Sequence, residues 1–178
     1  MKIRLLALLT LAMLVGSAYA QHHAELNPLE EDALRDSAME PDQRLKLYLK
    51  FTHDRLDKLE QVRADPKLTP KDRATATHDR LQDFLDLYDE LNDNIDTFID
   101  RKNDIRKPLK AVIEADAEFQ KRLKALSDSA AAAKEDVRAY EFVLSSTLDT
   151  LNDSATDHQQ LLQDQEEMAK HKQFTKQQ

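Results

Sequence analysis

Residues 81–99, LQDFLDLYDELNDNIDTFI, place an apolar side chain every three or four positions, with acidic or polar side chains between them. This spacing is that of a helix packed against other helices. The regularly spaced apolar residues are Leu81, Phe84, Tyr88, Leu91, Ile95 and Phe98. The stretch therefore predicts a long amphipathic helix that buries one face.

The same heptad continues in both directions, from Ala74 to Met168, without a change of phase. Twenty-one of its 28 a and d positions are apolar, compared with 40% of the chain, so the pattern is not chance. Many e positions are also apolar, and a stripe of that width favours a three- or four-helix bundle over a two-stranded coil. His158 occupies an a position, where we expect a polar core residue that sets the register of the helices.

Turn-forming residues are scarce. Gly16 is the only glycine, and the chain contains no cysteine. Without glycine for positive-φ turns and bulges, hairpins and phosphate-binding loops are hard to build. We therefore expect an all-α protein: one elongated, antiparallel, coiled-coil-like bundle over residues 41–172, with no sheet and no disulfide.

Capping residues predict where the helices begin. Asn27-Pro28 and Thr69-Pro70 are N-cap and first-turn signals, Pro41 opens another helix, and Ser127-Asp128-Ser129 offers N-caps for the last helix. The expected helices cover residues 28–38, 42–64, 70–127 and 130–172.

Pro108 leaves two alternatives for residues 70–127. A hairpin would pair the acidic stretch 82–100, with seven acids and no base, with the basic stretch 101–124, with eight bases and four acids. One bent helix agrees with the unbroken heptad and avoids crowding basic residues at a helix N-terminus. We favour the bend. The helix would then be ~87 Å long, covered end to end by the helices 42–64 and 130–172.

The N-terminus resembles a secretion signal. It has a basic start, an apolar run over residues 5–15 and the small-residue sequence Ala18-Tyr19-Ala20. We expect a signal peptide, residues 1–20, cleaved after Ala20, and a periplasmic or secreted protein. Residues 21–40 form a polar lead-in with a short helix, residues 173–178 form a polar tail, and we expect no membrane span.

The charge of the chain restricts its partners. The net charge of −8 becomes −10 when Lys2 and Arg4 are removed, which argues against nucleic acid and anionic membranes as partners.

Nucleophile and phosphate-loop motifs are missing from the sequence, so we do not expect an enzyme. The leading hypothesis is an exported, non-enzymatic helical scaffold or protein-interaction protein. The alternative is a periplasmic helical chaperone or a metal-responsive envelope-stress protein.

The expected mature N-terminus is a candidate metal site. Cleavage after Ala20 would expose Gln21-His22-His23, in which the free amine, two amides and the His23 imidazole can surround Cu(II) in a square plane. His22 adds another nitrogen. Cyclisation of Gln21 would remove the amine ligand, and the alternative is a plain polar tail.

A second candidate metal site comes from an internal repeat. Thr52-His53-Asp54-Arg55-Leu56 recurs as Thr77-His78-Asp79-Arg80-Leu81. In an antiparallel hairpin the two copies would lie at similar levels, so His53 and His78 could meet as a metal or pH-sensitive cluster. The alternative is that both histidines lie at the boundary of the apolar stripe.

Leu68-Thr69-Pro70-Lys71-Asp72 resembles the LTxxQ signature of periplasmic helical-hairpin chaperones of the Spy and CpxP type, with Asp72 in place of the signature's Gln. Met39-Glu40-Pro41-Asp42-Gln43 has the Gln without the Leu-Thr pair. The resemblance implies an exported helical chaperone, and it is the basis of the alternative hypothesis.

Self-association is a further expectation. A thin bundle with acidic residues at 82–100 and basic residues at 101–124 could pair antiparallel with a second copy. Phe142, alone on the charged f face, and the apolar e positions would then be covered. We therefore expect a homodimer.

Overall fold

The computed structural model describes residues 26–175, and within that range the protein consists of helices and short connections with no strand. The expectation of an all-α antiparallel bundle is confirmed. The helices are α1 (Pro28–Asp36), α2 (Pro41–Ala64), α3 (Pro70–Asp100), α4 (Arg106–Ala132) and α5 (Glu141–Thr175). No helix in the described range is both long enough and apolar enough to cross a membrane.

Helices α2 to α5 form a four-helix bundle with alternating directions. The closest packing is within two antiparallel hairpins, α2 with α3 and α4 with α5. The hairpins meet through parallel contacts, α2 with α4 and α3 with α5, so α3 and α4 stand diagonally across the core. Helix α3 has 31 residues and is about 46 Å long, and α5, with 35 residues, is longer at about 52 Å.

The predicted N-caps of α1 and α3 are confirmed. The Asn27 side chain accepts from the backbone N–H groups of Leu29 and Glu30, and the Glu30 carboxylate accepts from the Asn27 N–H, which completes a capping box. Thr69 accepts from the Asp72 N–H at 3.2 Å and donates its hydroxyl to the Asp72 carboxylate at 2.7 Å.

The expected single bent helix over residues 70–127 is wrong. Helix α3 ends at Asp100, a five-residue connection follows, and Pro108 lies in the first turn of α4. The missing N–H of a proline has no consequence there, because first-turn N–H groups lack an intrahelical acceptor. The proline therefore marks a helix start. Because residues 70–127 form two helices, the expected ~87 Å helix covered end to end by two others is also wrong.

Asp104 offsets the crowding of basic residues at the N-terminus of α4, which had argued against a helix start at this point. Its carboxylate accepts from Arg106 through the backbone N–H at 3.3 Å, Nε at 2.8 Å and Nη2 at 2.6 Å. A carboxylate at this place compensates for the positive end of the helix dipole and for the basic residues Lys107 and Lys110.

The expected start of the last helix near residue 130 is also wrong. Residues 127–129 lie inside α4, and α5 begins at Glu141. The Ser129 hydroxyl donates to the Leu126 carbonyl at 2.8 Å instead of capping a new helix. Serine is as compatible with this back-bonded role as with capping, so the sequence signal was ambiguous.

The heptad predicts burial correctly across both connections. Most a and d positions of α3, α4 and α5 are buried, and the polar a residues Asp116, His158 and Gln165 are buried with them. The connections over residues 101–105 and 133–140 happen to preserve the phase of the pattern. An unbroken heptad therefore indicates a shared core and does not require a continuous helix.

Two lysines take the left-handed conformation that glycine usually supplies. Lys102 (φ 60°) and Lys134 (φ 53°) follow the C-caps of α3 and α4. At each end, this residue and the next donate their N–H groups to the last helical carbonyls, for example Lys102 to Ile99 at 2.8 Å and Asn103 to Phe98 at 3.0 Å. This is the Schellman arrangement, built here without glycine.

Replacing either lysine with glycine is expected to stabilise the protein. Lys102→Gly and Lys134→Gly should each raise the free energy of unfolding by about 0.5–1 kcal/mol, because glycine adopts positive φ without a Cβ clash. Lys121→Gly, in the exposed interior of α4, is the matched control and should lower it by about 1 kcal/mol. Chemical denaturation measures both, and an equal loss in all three variants would contradict the role assigned to these positions.

Candidate functional site

The most concentrated chemistry in the described residues is a buried hydrogen-bonded group in the middle of the bundle. Asp116 on α4 accepts from the Tyr88 hydroxyl on α3 through Oδ1 at 2.8 Å. Its other oxygen, Oδ2, lies 2.8 Å from His158 Nδ1 on α5. One carboxylate thus joins three helices. We call Tyr88, Asp116 and His158 the core triad.

The core triad continues toward the α3–α5 contact. Ser154, one turn before His158 on α5, accepts from Asn92 Nδ2 at 2.9 Å. Asn92 lies one turn beyond Tyr88 on α3. This bond places residues 92 and 154 at the same level of the bundle.

Two aromatic rings, Phe84 on α3 and Phe119 on α4, pack against the Tyr88 ring of the core triad. Phe84 and Tyr88 stack in nearly parallel planes, and both meet Phe119 edge-on at centroid distances of 5.2 and 6.3 Å. This packing excludes water from the tyrosine hydroxyl and strengthens the hydrogen bonds around it.

The core triad is closed to substrates. The exposed fractions of Tyr88, Asp116 and His158 are 0%, 1% and 3%. Burial, reinforced by the Asp116 charge, raises the pKa of Tyr88 far above its ordinary value, so the hydroxyl remains a donor. A His–Asp pair could share a proton, but a reactant cannot reach these three side chains in this conformation.

The two histidines of the internal repeat have different surroundings. The His53 ring packs on Phe119 at 4.6 Å, and its Nδ1 lies 3.8 Å from a Glu118 oxygen on α4. His78 Nδ1 lies 3.1 Å from the carboxylate of its neighbour Asp79. Among the residues that the structure describes, no group of three or more His, Asp or Glu side chains is arranged to hold a metal ion.

The candidate copper site, Gln21, His22 and His23, lies outside the described residues. It stays a prediction from the sequence. The same holds for the signal peptide over residues 1–20.

The buried Arg55 and the half-buried Arg63 join helices near the surface. Arg55 on α2 holds Glu30 on α1 through two bonds of 2.9 and 2.7 Å, and these bonds lower the pKa of Glu30. Arg63 holds Glu135 at 2.9 Å and the Tyr140 hydroxyl at 3.2 Å, so it connects the end of α2 to the α4–α5 connection. Sequence reasoning missed both arginine clusters, because the partners lie 25 and 72 residues away.

The charges divide between opposite sides of the bundle. Helices α2 and α4 each contain six basic and four acidic residues, a net charge of +2 each. Helix α3 has nine acids and three bases, and α5 has seven acids and two bases, which are net charges of −6 and −5. Because α2 neighbours α4 and α3 neighbours α5, one side is mildly basic and the other strongly acidic. We call them the basic side and the acidic side.

Comparisons with known proteins find no match: no family model, no curated protein and no solved structure corresponds to this sequence. The resemblance to the LTxxQ signature therefore rests on a few residues at two helix starts. In the structure, Thr69 and Asp72 of that segment cap α3.

Removal of the central carboxylate should destabilise the bundle strongly. Asp116→Ala leaves the Tyr88 hydroxyl and the His158 ring without their partner, and we expect a loss of about 3 kcal/mol in the free energy of unfolding. The double variant Asp116→Ala/Tyr88→Phe should lose less than the sum of its single variants, because it removes one orphaned donor.

Asp128→Ala, on the exposed surface of α4, is the matched control and should change stability by at most about 0.5 kcal/mol. Urea denaturation compares the variants. A loss in Asp116→Ala no larger than in the control would show that the triad contributes little.

Alkaline pH should unfold the protein through Tyr88. A tyrosine in the unfolded chain loses its hydroxyl proton near pH 10, whereas the raised pKa of Tyr88 keeps its hydroxyl protonated in the folded protein. The contribution of the protonated Tyr88 hydroxyl to the free energy of unfolding is therefore complete below about pH 10 and is lost as the pH rises further. Tyr88→Phe should reduce the loss of stability at alkaline pH more than Tyr140→Phe does. The reason is that Arg63 favours the ionised form of Tyr140 and offsets part of the rise in its pKa that burial causes. Equal slopes for Tyr88→Phe and the unmodified protein would contradict this.

Proposed function

We propose that the protein is an exported, non-enzymatic scaffold that binds protein partners through the exposed faces of its helices. The observation that carries the proposal is the division of charge: an acidic side formed by α3 and α5 lies opposite a basic side formed by α2 and α4. Such an arrangement favours a partner with complementary charge and fixes its orientation.

The state of the core supports a non-enzymatic role. The His–Asp–Tyr chemistry of the described residues is buried and satisfied by hydrogen bonds between helices. Its geometry serves to hold α3, α4 and α5 in register, as polar core residues do in helical bundles.

The acidic side is broad enough for helix-on-helix recognition. Asp93 on α3 and Asp153 on α5 are exposed, and they flank the Asn92–Ser154 hydrogen bond that sets the two helices at one level. Acidic side chains of both helices continue above and below this level. A basic helix or a basic strip of a folded protein is the partner that this surface fits best.

The distribution of exposed apolar side chains favours a scaffold over a chaperone. The large ones among the described residues are Leu29, Met39, Phe142 and Met168. They lie singly on α1, on the α1–α2 connection and on separate parts of α5. A chaperone that holds unfolded clients would be expected to present a continuous apolar surface.

Charge reversal tests the scaffold proposal. In the host cell envelope, crosslinking of the unmodified protein should recover one stoichiometric partner. Asp93→Lys/Asp153→Lys should reduce that recovery about tenfold, because two attractive contacts become repulsive. The matched control, Lys50→Glu/Lys121→Glu on exposed positions of the basic side, should retain the partner.

Two outcomes would contradict the proposal. Equal recovery with both double variants would show that the acidic side does not direct binding. Suppression of a model client's aggregation in a light-scattering assay, with no single partner crosslinked, would instead support the chaperone alternative.

A further inference from the structure

Helix α1 lies along the seam between α2 and α3 and is held there by two arginines of α2. Near the start of α1, Glu30 accepts from Arg55 at 2.9 and 2.7 Å, and near its end the Leu34 carbonyl accepts from Arg44. Arg44 also donates to Asn94 Oδ1 on α3 at 2.6 Å. The two arginines therefore fix the position of α1 and its direction, antiparallel to α2.

An apolar surface lies between the two arginines. Phe51 is seven residues after Arg44 on α2, and Leu87 is seven residues before Asn94 on α3, so the two lie at one level of this antiparallel pair. Phe51 shares a face of α2 with both arginines, and Phe51 and Leu87 are only 5% and 0% exposed. We call this surface the α1 seat: Arg44, Phe51 and Arg55 of α2 with Leu87 and Asn94 of α3.

Helix α1 is weakly attached compared with the bundle helices. It has nine residues, too few for a stable helix in water on its own, and among the described helices only α2 has its backbone close to it. The buried side chains of α1 are Leu34 and the charged Glu30. An ion pair as buried as Glu30–Arg55 loses in dehydration much of what it gains in attraction.

The connection between α1 and α2 is suited to act as a hinge. Glu40, the N-cap of α2, makes no side-chain capping bond. Pro41 follows it and lacks the N–H that a continuous helix through this point would need. The two helices therefore remain separate units joined by residues 37–40.

The contacts of α1 show which ligand the α1 seat recognises. Glu30 supplies a carboxylate to Arg55, and Leu34, one turn later on the same face, is 4% exposed and belongs to the core cluster. The neighbouring charged side chains Glu31, Asp32, Arg35 and Asp36 are exposed. Recognition thus uses one glutamate and one leucine a helical turn apart.

We propose that α1 is a detachable lid and that the α1 seat binds an acidic amphipathic helix of a protein partner, with a glutamate and a leucine one turn apart. The partner helix replaces α1, with its glutamate on Arg55 and its leucine in the position of Leu34. The docked α1 hides the arginine and keeps the site closed until such a helix competes for it. The site lies at the α2–α3 seam and does not depend on what the acidic side recognises.

A peptide with the α1 sequence tests the proposal. A fluorescent peptide of residues 26–38 should bind the Glu30→Lys protein about tenfold more tightly than the unmodified protein. The substitution repels the protein's own α1 from Arg55 and so removes a competitor held at high local concentration. Glu31→Lys, on the exposed face of α1, is the matched control and should bind the peptide as weakly as the unmodified protein. Fluorescence anisotropy measures the affinities, and circular dichroism verifies that the bundle remains folded.

An exchange of charges shows whether the peptide occupies the α1 seat. A peptide carrying Glu30→Lys should bind the Arg55→Glu protein, whose own α1 is also repelled, and should not bind the Glu30→Lys protein. The original peptide should show the reverse preference. The proposal is overturned if both peptides bind both proteins equally, or if the original peptide binds the unmodified and Glu30→Lys proteins with the same affinity.

Hydrogen exchange of the unmodified protein tests the lid without any substitution. The amides of residues 32–36 should exchange at least about tenfold faster than those in the middle of α3, because α1 opens while the four bundle helices stay folded. Exchange of both groups at one rate, that of global unfolding, would show that α1 does not detach and would also overturn the proposal.

Discussion

The bundle depends most on one buried carboxylate. Apolar layers alone allow helices to slide or rotate relative to one another, since one aliphatic contact replaces another at little cost. Asp116 restricts this freedom, because its two oxygens must meet a hydroxyl on α3 and an imidazole nitrogen on α5 at the same time. Any shift of α3 or α5 by one turn would leave a buried charge without donors, which is strongly unfavourable. The core triad therefore specifies the register of three helices.

The electrostatic pattern follows from how the helices are connected. The α3–α4 connection crosses the bundle end diagonally, so the acidic α3 and the basic-rich α4 are not neighbours. Each instead packs closely, as an antiparallel neighbour, on a helix of opposite net charge, α3 on α2 and α4 on α5. Helices of like charge share the looser parallel contacts. Attraction thus acts where the packing is tightest, and the unbalanced acidic charge remains on one side of the molecule.

The connections show how a chain almost without glycine can still turn. Lys102 and Lys134 accept a positive φ that is unfavourable for a residue with a Cβ, and the helix-end hydrogen bonds maintain it. Distant side chains then secure each connection: Gln165 for the first, and Arg63 with Glu135 for the second. The turns of this protein are therefore stabilised by tertiary contacts as much as by their own sequence.

The local signals of the sequence were sufficient for the fold class, the buried faces and the starts of α1 and α3. Apolar spacing and caps such as Asn27 and Thr69 act within one or two helical turns, so they can be read without knowing the rest of the fold. The ends of α3 and α4 could not be read in this way, because a lysine at a positive φ has no sequence signature and the heptad keeps its phase across both connections. Nor could the sequence show the partners of Asp116, the arginine clusters or the division of charge, since these join residues 25 to 77 positions apart or depend on which helices are neighbours. Periodicity and capping, which are local, determined that this chain forms a helical bundle; the tertiary structure alone decided how the helices are arranged, because that choice depends on long-range pairing of buried polar groups.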